Sequence, residues 1–490
     1  MPSQNELLLD PATWRGKIHV DGWVNGGGAD ITATDKATGK ALGTLGGASP
    51  GDVENAAGIA RKAQQAWVGL PLEERAAVFR RAVGLLERHH EELAEWIMRE
   101  TGGIRPKAEM ELKRTAGILH ESAAMLLDYP GVVLPTDPGR ISYARRMPHG
   151  VVGVIAPFNV PLVLAIRAVA PALATGNAVL LKPDPQTAVA GGVLIARLFE
   201  EAGLPSGLLH LLPGGADVGE ALCTDPNIAM IAFTGSTATG RRIGELAGRH
   251  LKKVSLELGG NNALIVLDDA DLDLAASNAA FGAWNHQGQI CMTTGRILAH
   301  AGIADALVER LVEKAGKLPV GDPMSGKVAL GPLINARQLA HVDGLVRDSV
   351  AAGARLAAGG GYEHLFFQPT VLDGVSPGVR AFDEEIFGPV ASVTRFETDD
   401  EAVALANRGD YGLSAGIISR NVARALDLGG RLNVGLLQVN DQTIVSGPQI
   451  PFGGRGASGN GGRIGGPANW EEFTQWQWVT IRGTPPAYPF

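Results

Sequence analysis

The chain has 490 residues, too many for one ordinary hydrophobic core, so two or three domains are expected. Apolar residues make up 45% of it and charged residues 19%, which excludes disorder as the default, and a formal charge of −8 argues against a nucleic-acid-binding face. Two cysteines, Cys223 and Cys291, exclude a disulfide scaffold.

The first residues, MPSQNELLLDPATWRGK, lack a basic segment followed by an apolar core, so no secretory signal is expected. No apolar stretch reaches the length of a membrane span, and the expectation is a cytoplasmic protein without membrane contact. Residues 52–128 read as amphipathic helices whose charged faces are solvated. A β-hairpin is expected from Tyr129 to Met147, leaving the domain. Short apolar runs at 151–155, 178–181, 208–212, 228–233 and 254–256 then alternate with helical patterns at 161–174 and 187–202. That alternation predicts βαβ units and a doubly wound parallel sheet, which binds ligands at the carboxyl ends of its strands. A second α/β pattern runs from Gly260 to about Phe452. In the tail, the spacing of Phe473, Trp476 and Trp478 fits a strand, either at an edge of its own subunit or paired with another.

Cys291 stands in QGQIC with glycine and polar neighbours that leave its sulfur reachable. A lone cysteine fits a buried core position as well as a nucleophile; Cys223, in EALCTDP, fits a helix face. Glu257, in LELGG at the end of an apolar strand, is costly there unless paired, protonated or used as a base. Asn159, in APFNVP, follows another strand end, where its amide serves either an oxyanion or a turn. FTGSTATG places Gly235 and Ser236 at a strand-to-helix turn whose free N–H groups suit a phosphate. Lys182, in LKP, ends a further strand on the same sheet edge.

APFNVP, LKP, FTGSTATG, LELGG, QGQIC, EEIFGPV, NRGDYGLSAGI and PFGG occur in that order, with Glu257 and Cys291 34 residues apart. Together they resemble the aldehyde dehydrogenase superfamily over nearly the whole chain. The resemblance implies an α/β fold: a dinucleotide-binding domain from 1–128 and 146–256, a catalytic domain from 257–455, and an oligomerisation arm from 129–145 and 456–490. It implies a homodimer or homotetramer acting on a small-molecule aldehyde. Cys291 would attack the carbonyl, with Asn159 and the Cys291 N–H holding the oxyanion. Hydride transfer to NAD would leave a thioester, and Glu257 would activate the water that hydrolyses it. Lys182 and Glu385 would contact ribose, Phe387 would pack at the nicotinamide end, and Gly235 and Ser236 would lie near the pyrophosphate. No metal is implied.

Two departures bear on the cofactor. Phe158 stands where many relatives carry Trp, changing the cofactor wall. Pro185 stands where NAD-preferring relatives have a Glu that repels a 2′-phosphate, with Asp184 beside it, so NAD use with NADP tolerated is expected. PFNVP, LKPDPQTAVAGG and HQGQICMTTGR further resemble bacterial benzaldehyde dehydrogenases, including those acting on vanillin. Val160, Trp284, Ile290, Met292 and Phe452 would then line an apolar tunnel suited to a flat ring. Arg167, on the helix after Asn159, would either contact substrate or pair at the surface, the reading favoured from sequence. The alternatives weighed are a semialdehyde or aliphatic aldehyde dehydrogenase, a CoA-acylating relative, a cysteine hydrolase and an inactive paralogue. Glu257 argues against the CoA-acylating enzyme. The lack of a histidine motif pairing with Cys291 argues against the hydrolase, since His286 is read as structural. Retention of Cys291, Glu257 and Asn159 together argues against an inactive chain.

Overall fold

The computed structural model of the chain describes residues 7–128 and 131–490. The start of the expected hairpin, at Tyr129, lies outside the described residues, as does the beginning of the N-terminal segment read for a signal.

Five parallel strands form the first sheet: β1 (Val151–Ile155), β2 (Ala178–Lys182), β3 (Leu209–Leu211), β4 (Met230–Thr234) and β5 (Lys253–Glu257). Their order is β5-β4-β1-β2-β3, and Lys17–His19 and Trp23–Asn25 extend the β3 edge antiparallel. The apolar runs β1 and β2 are buried throughout, as expected for strands covered on both faces. Strand order reverses on either side of β1, so a crevice opens beyond the carboxyl ends of β1 and β4.

Helices cover this sheet. The amphipathic region resolves into four, Pro50–Gly69, Leu72–Arg88, His90–Thr101 and α1 (Arg105–Met125). Next come α2 (Pro161–Ala174) and α3 (Thr237–Arg249). The helix expected over 187–202 is instead a 3₁₀ turn at Pro185–Thr187, a π turn at Val189–Val193 and an α-helix at Leu194–Glu201. Gly191 and Gly192 explain the irregularity: a Cβ on the first would lie 2.9 Å from Pro161, and on the second 2.7 Å from Leu211. The chain winds around that close approach.

A second seven-stranded sheet follows, with β6 (Asn262–Val266) and β7 (Thr294–His300) at its centre. Its strands are parallel except the edge strand Arg355–Ala358. The helices α4 (Leu272–Trp284) and α5 (Ala336–Ala351) belong to this half. The first hydrophobic core runs from Leu8 to Leu258 and takes in Ile464 and Phe473 from the C-terminal segment. Two further cores, drawn from residues between Ala263 and Leu432, flank the second sheet.

The hairpin strands Gly131–Val133 and Arg140–Pro148 pair antiparallel, and Thr474–Arg482 adds along the other side of Arg140–Pro148. The tail thus pairs within its own chain, and among the described residues Thr474–Arg482 is an edge strand. Among the described residues no helix is long and apolar enough to cross a membrane.

Candidate active site

Three loop segments converge on the crevice. After β1 the chain runs through Phe158 and Asn159 into α2, where Pro161 sits at the first helical position, its missing N–H no loss. Asn159 is buried, and its Nδ2 donates to the Gln289 carbonyl at 2.8 Å. One amide hydrogen is used there and the other is left over.

After β5 come Glu257 and Leu258, then Gly259 and Gly260. A Cβ on Gly259 would lie 2.3 Å from Glu385 Oε2, and one on Gly260 2.6 Å from the Cys291 carbonyl oxygen. Only glycine lets this strand pass between those two loops.

Cys291 follows α4 by way of His286, Gln287 and Gly288, all in the left-handed region with φ of 49°, 55° and 67°. Such backbone is strained for the two non-glycine residues, and it persists because the surroundings hold it. Gln287 Nε2 donates to the Gly102 carbonyl at 2.9 Å, Gln289 Oε1 accepts the Ile334 N–H at 3.0 Å, and Thr293 Oγ1 donates to the Gly288 carbonyl at 3.0 Å. Asn262 Nδ2 donates to the Cys291 and Thr293 carbonyls at 2.9 and 2.8 Å. Sequence reasoning passed over Gln289 and Asn262; the Asn pair opening an otherwise apolar strand directly after LELGG was the available signal for the latter.

The electrostatics follow from burial. Among the described residues neither Glu257 oxygen has a hydrogen-bond partner, and burial pushes its carboxyl up to about 8, against the pull of Arg167 and Arg463. Burial likewise pushes the Cys291 thiol up to about 12, with Arg167 opposing and Glu385 and Glu257 adding to the rise. Glu385 is raised to about 7 by burial, offset by the N–H of Gly260 at 3.0 Å. His286 is buried and pushed well below its ordinary value by desolvation and then by Lys107, so it stands neutral.

Arg167 departs from the surface pairing favoured by sequence. Its Nη2 is buried without a partner among the described residues, its guanidinium carbon lies 3.9 Å from the Phe452 ring centroid, and its charge acts on Glu257 and Cys291. The helix turns this position inward, where spacing alone left both faces open.

Asn159 and Cys291 line one cavity of about 580 Å³, together with Phe158, Gly235, Ser236, Leu258, Gly259, Glu385 and Phe387. Ser236 caps α3 by accepting the Thr239 N–H at 3.3 Å. Phe387, at φ 49°, meets Phe158 edge to face with centroids 5.9 Å apart. Gln338 Nε2 on α5 donates to the Phe387 carbonyl at 2.9 Å, and His341 contacts the Glu385 carbonyl at 3.3 Å; neither was foreseen, since both lie far away in sequence. The cavity has the size, aromatic wall and helix N-terminus that a dinucleotide requires. Lys182 ends β2, buried, with its amine lowered by desolvation and raised back in part by Asp184 and Asp217. Asp184 accepts the Gln186 N–H at 2.9 Å, and Pro185 begins the 3₁₀ turn.

Ile290, Met292 and Phe452 form a small apolar cluster with Ile444, against which Cys291 packs. Val160 belongs instead to the first core. The structure does not bring Trp284 to this cluster. It is packed in a core of the second sheet, because it faces the interior side of α4. Cys223 is buried in the helix Ala216–Thr224, with burial raising its thiol to about 11.

The sequence profile of the aldehyde dehydrogenase family matches residues 23–479. A vanillin dehydrogenase of Amycolatopsis sp. is 55% identical over 99% of this chain and 100% of its own. The NAD(+) benzaldehyde dehydrogenase of Pseudomonas putida is 50% identical over 97% and 98%. The chain belongs to the aldehyde dehydrogenase family. Among solved structures, the betaine aldehyde dehydrogenase of Staphylococcus aureus in complex with NAD+ superposes with a TM-score of 0.95 at 28% identity, over 99% of both chains. An NADP-dependent enzyme of E. coli gives 0.93 at 33% identity, over 97% and 100%. The expected α/β architecture stands, and with it an NAD(P)-dependent aldehyde dehydrogenase that acts on a small-molecule aldehyde.

Proposed function

We propose that this enzyme oxidises an aromatic aldehyde of the benzaldehyde type to its carboxylate, with Cys291 as nucleophile, Glu257 as base and Asn159 as oxyanion donor. The observation that carries the reading is that Cys291 and Asn159 share one cavity with Leu258 and Gly259, while Glu257, the residue just before them, is buried with no hydrogen-bond partner among the described residues. The Cys291 thiol gives up its proton to water, the thiolate sulfur adds to the carbonyl carbon, and the developing oxyanion accepts hydrogen bonds from the spare Asn159 amide N–H and the Cys291 N–H. A bound dinucleotide supplies the hydride acceptor, and loss of the hydride leaves a thioester on Cys291. Glu257 removes a proton from the water that attacks the thioester carbon, the C–S bond breaks and the carboxylate departs. At neutral pH the resting Glu257 is protonated, so it must first lose its proton.

The apolar cluster of Ile290, Met292 and Phe452 beside Cys291 suits a flat ring, and the names of the two relatives point the same way. NAD is the proposed cofactor, with NADP tolerated because Pro185 brings no carboxylate. The two strands of the 131–148 hairpin and the 474–482 strand form the proposed dimer or tetramer arm.

Rapid mixing of Glu257→Gln with benzaldehyde and NAD tests the mechanism. A burst of about one NADH per active site followed by slow turnover is expected, and steady turnover at the unmodified rate refutes the role of Glu257. A second reading, an aldehyde that also carries a carboxylate, is favoured by the buried Arg167 guanidinium. If kcat/KM for succinate semialdehyde exceeds that for benzaldehyde, this reading replaces the first.

A further inference from the structure

Helix α2 carries Arg167 and directly follows Asn159, yet it begins without a cap of its own. Its N-cap is Val160, which has no side-chain acceptor, and Pro161 has no N–H. The Leu164 N–H bonds back to the Val160 carbonyl, which leaves the N–H groups of Leu162 and Val163 as the helix's free donors. Both are buried positions, where an unmet donor is costly.

A residue 51 positions before the first and 52 before the second meets them. Glu111 on α1 accepts from Leu162 at 3.0 Å and from Val163 at 3.4 Å through one oxygen, Oε2. Its other oxygen, Oε1, pairs with Lys107 one helical turn away. Glu111 is 0% exposed and Lys107 4%. The Lys107 amine also donates to Thr101 Oγ1 at 3.1 Å, and Thr101 in turn donates to the Ile97 carbonyl at 2.6 Å. A carboxylate at a helix N-terminus also complements the helix dipole. Two buried charges are an expensive way to hold two helices together, since apolar residues would pack as well or better. What the pair does that apolar residues cannot is fix the first turn of α2, and with it the backbone that presents Asn159.

We propose that Glu111, paired with Lys107, is a positioning residue for Asn159: it caps α2 from a neighbouring helix and so aims the Asn159 amide at the oxygen of the carbonyl whose carbon Cys291 attacks. The inference rests on the oxyanion role given to Asn159 above. An oxyanion contact exists only in the transition state, so misaiming the amide lowers kcat and kcat/KM together and leaves KM unchanged. Small displacements of this kind carry large rate effects.

The test uses the full-length enzyme with Lys107→Met as background, so that no unpaired charge remains in either arm. In that background Glu111→Gln keeps an oxygen for the two N–H groups and Glu111→Leu does not. Single-turnover NADH formation from benzaldehyde is measured per active site, with sites counted by stoichiometric iodoacetamide labelling. The Leu variant is expected to be about tenfold or more slower per site than the Gln variant, at a KM within twofold. Equal per-site rates, whatever the melting temperatures, overturn the inference and leave the pair a structural strut. Asn159→Ala is run alongside: if it does not slow hydride transfer, the reading of Asn159 itself fails. If the Leu variant does not fold, hydrogen exchange of the unmodified enzyme supplies the second measurement. Protection of the Leu162 and Val163 amides equal to the middle of α2 is expected, and rapid exchange there overturns the cap.

Discussion

Arg167 lies over Phe452 with its guanidinium carbon 3.9 Å from the ring centroid, and its Nη2 meets no acceptor among the described residues. The side chain therefore brings a positive charge into the apolar wall against which Cys291 packs. Desolvation lowers its own basicity, while Glu257 and Cys291 act in the opposite sense. By reciprocity its charge favours the thiolate and the carboxylate.

Replacing Arg167 by Met keeps the packing of the stem and removes that charge. The Cys291 thiol, already pushed up to about 12, should rise further. Inactivation of the cofactor-free enzyme by iodoacetamide at pH 8 is expected to slow by roughly three- to tenfold, since a one-unit rise lowers the thiolate fraction tenfold. An unchanged inactivation rate would show that Arg167 does not tune the thiol.

Glu257 makes the site costly to the fold. Burial raises its carboxyl from an ordinary 4.5 to about 8. Between those values the native protein holds a proton that the unfolded chain has released, so stability falls as pH rises through that window. Below about 4.5 both states are protonated and the effect vanishes. Glu257→Gln should therefore melt at a higher temperature than the unmodified enzyme at pH 8.5 and at nearly the same temperature at pH 4.5. Thermal scans at the two pH values check this, and a stabilisation equal at both would rule out the titration as its cause.

The same residues show how far sequence reading reaches. Strand ends at Ile155, Lys182, Thr234 and Glu257 are marked by short apolar runs broken by Gly or Pro, so the sheet and the residues at its edge were legible. Asn159, Glu257 and Cys291 draw notice in the sequence because each stands at such a break within a motif. Spacing does not say which way a helical side chain turns. Arg167, open between substrate and surface in the sequence, packs over Phe452, and Trp284, expected in the tunnel, packs in a core of the second sheet. Glu111, Gln338 and His341 act across long sequence separations on backbone groups, which have no sequence pattern of their own. The π turn at Val189–Val193 arises from close packing by Gly191 and Gly192, a tertiary contact that overrides the helical period.

The arm leaves apolar surface in solvent. Trp478 is 70% exposed and Val133 88%, and Thr474–Arg482 presents a nine-residue edge without proline. Such an edge invites pairing with another chain. Trp476 is covered on one side by Arg146 at 3.7 Å, so Trp478 is the better probe. Trp478→Glu is expected to reduce the molar mass seen by light scattering after size exclusion, from a dimer or tetramer to a smaller species. A mass unaffected by this change and by Val133→Glu would place the interface elsewhere.

Cofactor choice turns on the short turn after Lys182. Asp184 supplies the nearest carboxylate, but one of its oxygens is bound to the Gln186 N–H at 2.9 Å, which holds it against its own backbone. Pro185 starts the 3₁₀ turn, a position whose N–H has no partner within the turn, so a glutamate fits there without breaking a bond. A carboxylate at this point would accept hydrogen bonds from the adenosine ribose and repel a 2′-phosphate. Pro185→Glu is therefore expected to lower kcat/KM for NADP by about tenfold, equivalent to ~1.4 kcal/mol, while kcat/KM for NAD stays within about threefold. Both constants are measured with benzaldehyde held saturating. An unaltered NAD to NADP ratio would mean that the turn does not reach the ribose, and that discrimination lies with Lys182 and its neighbours Asp184 and Asp217.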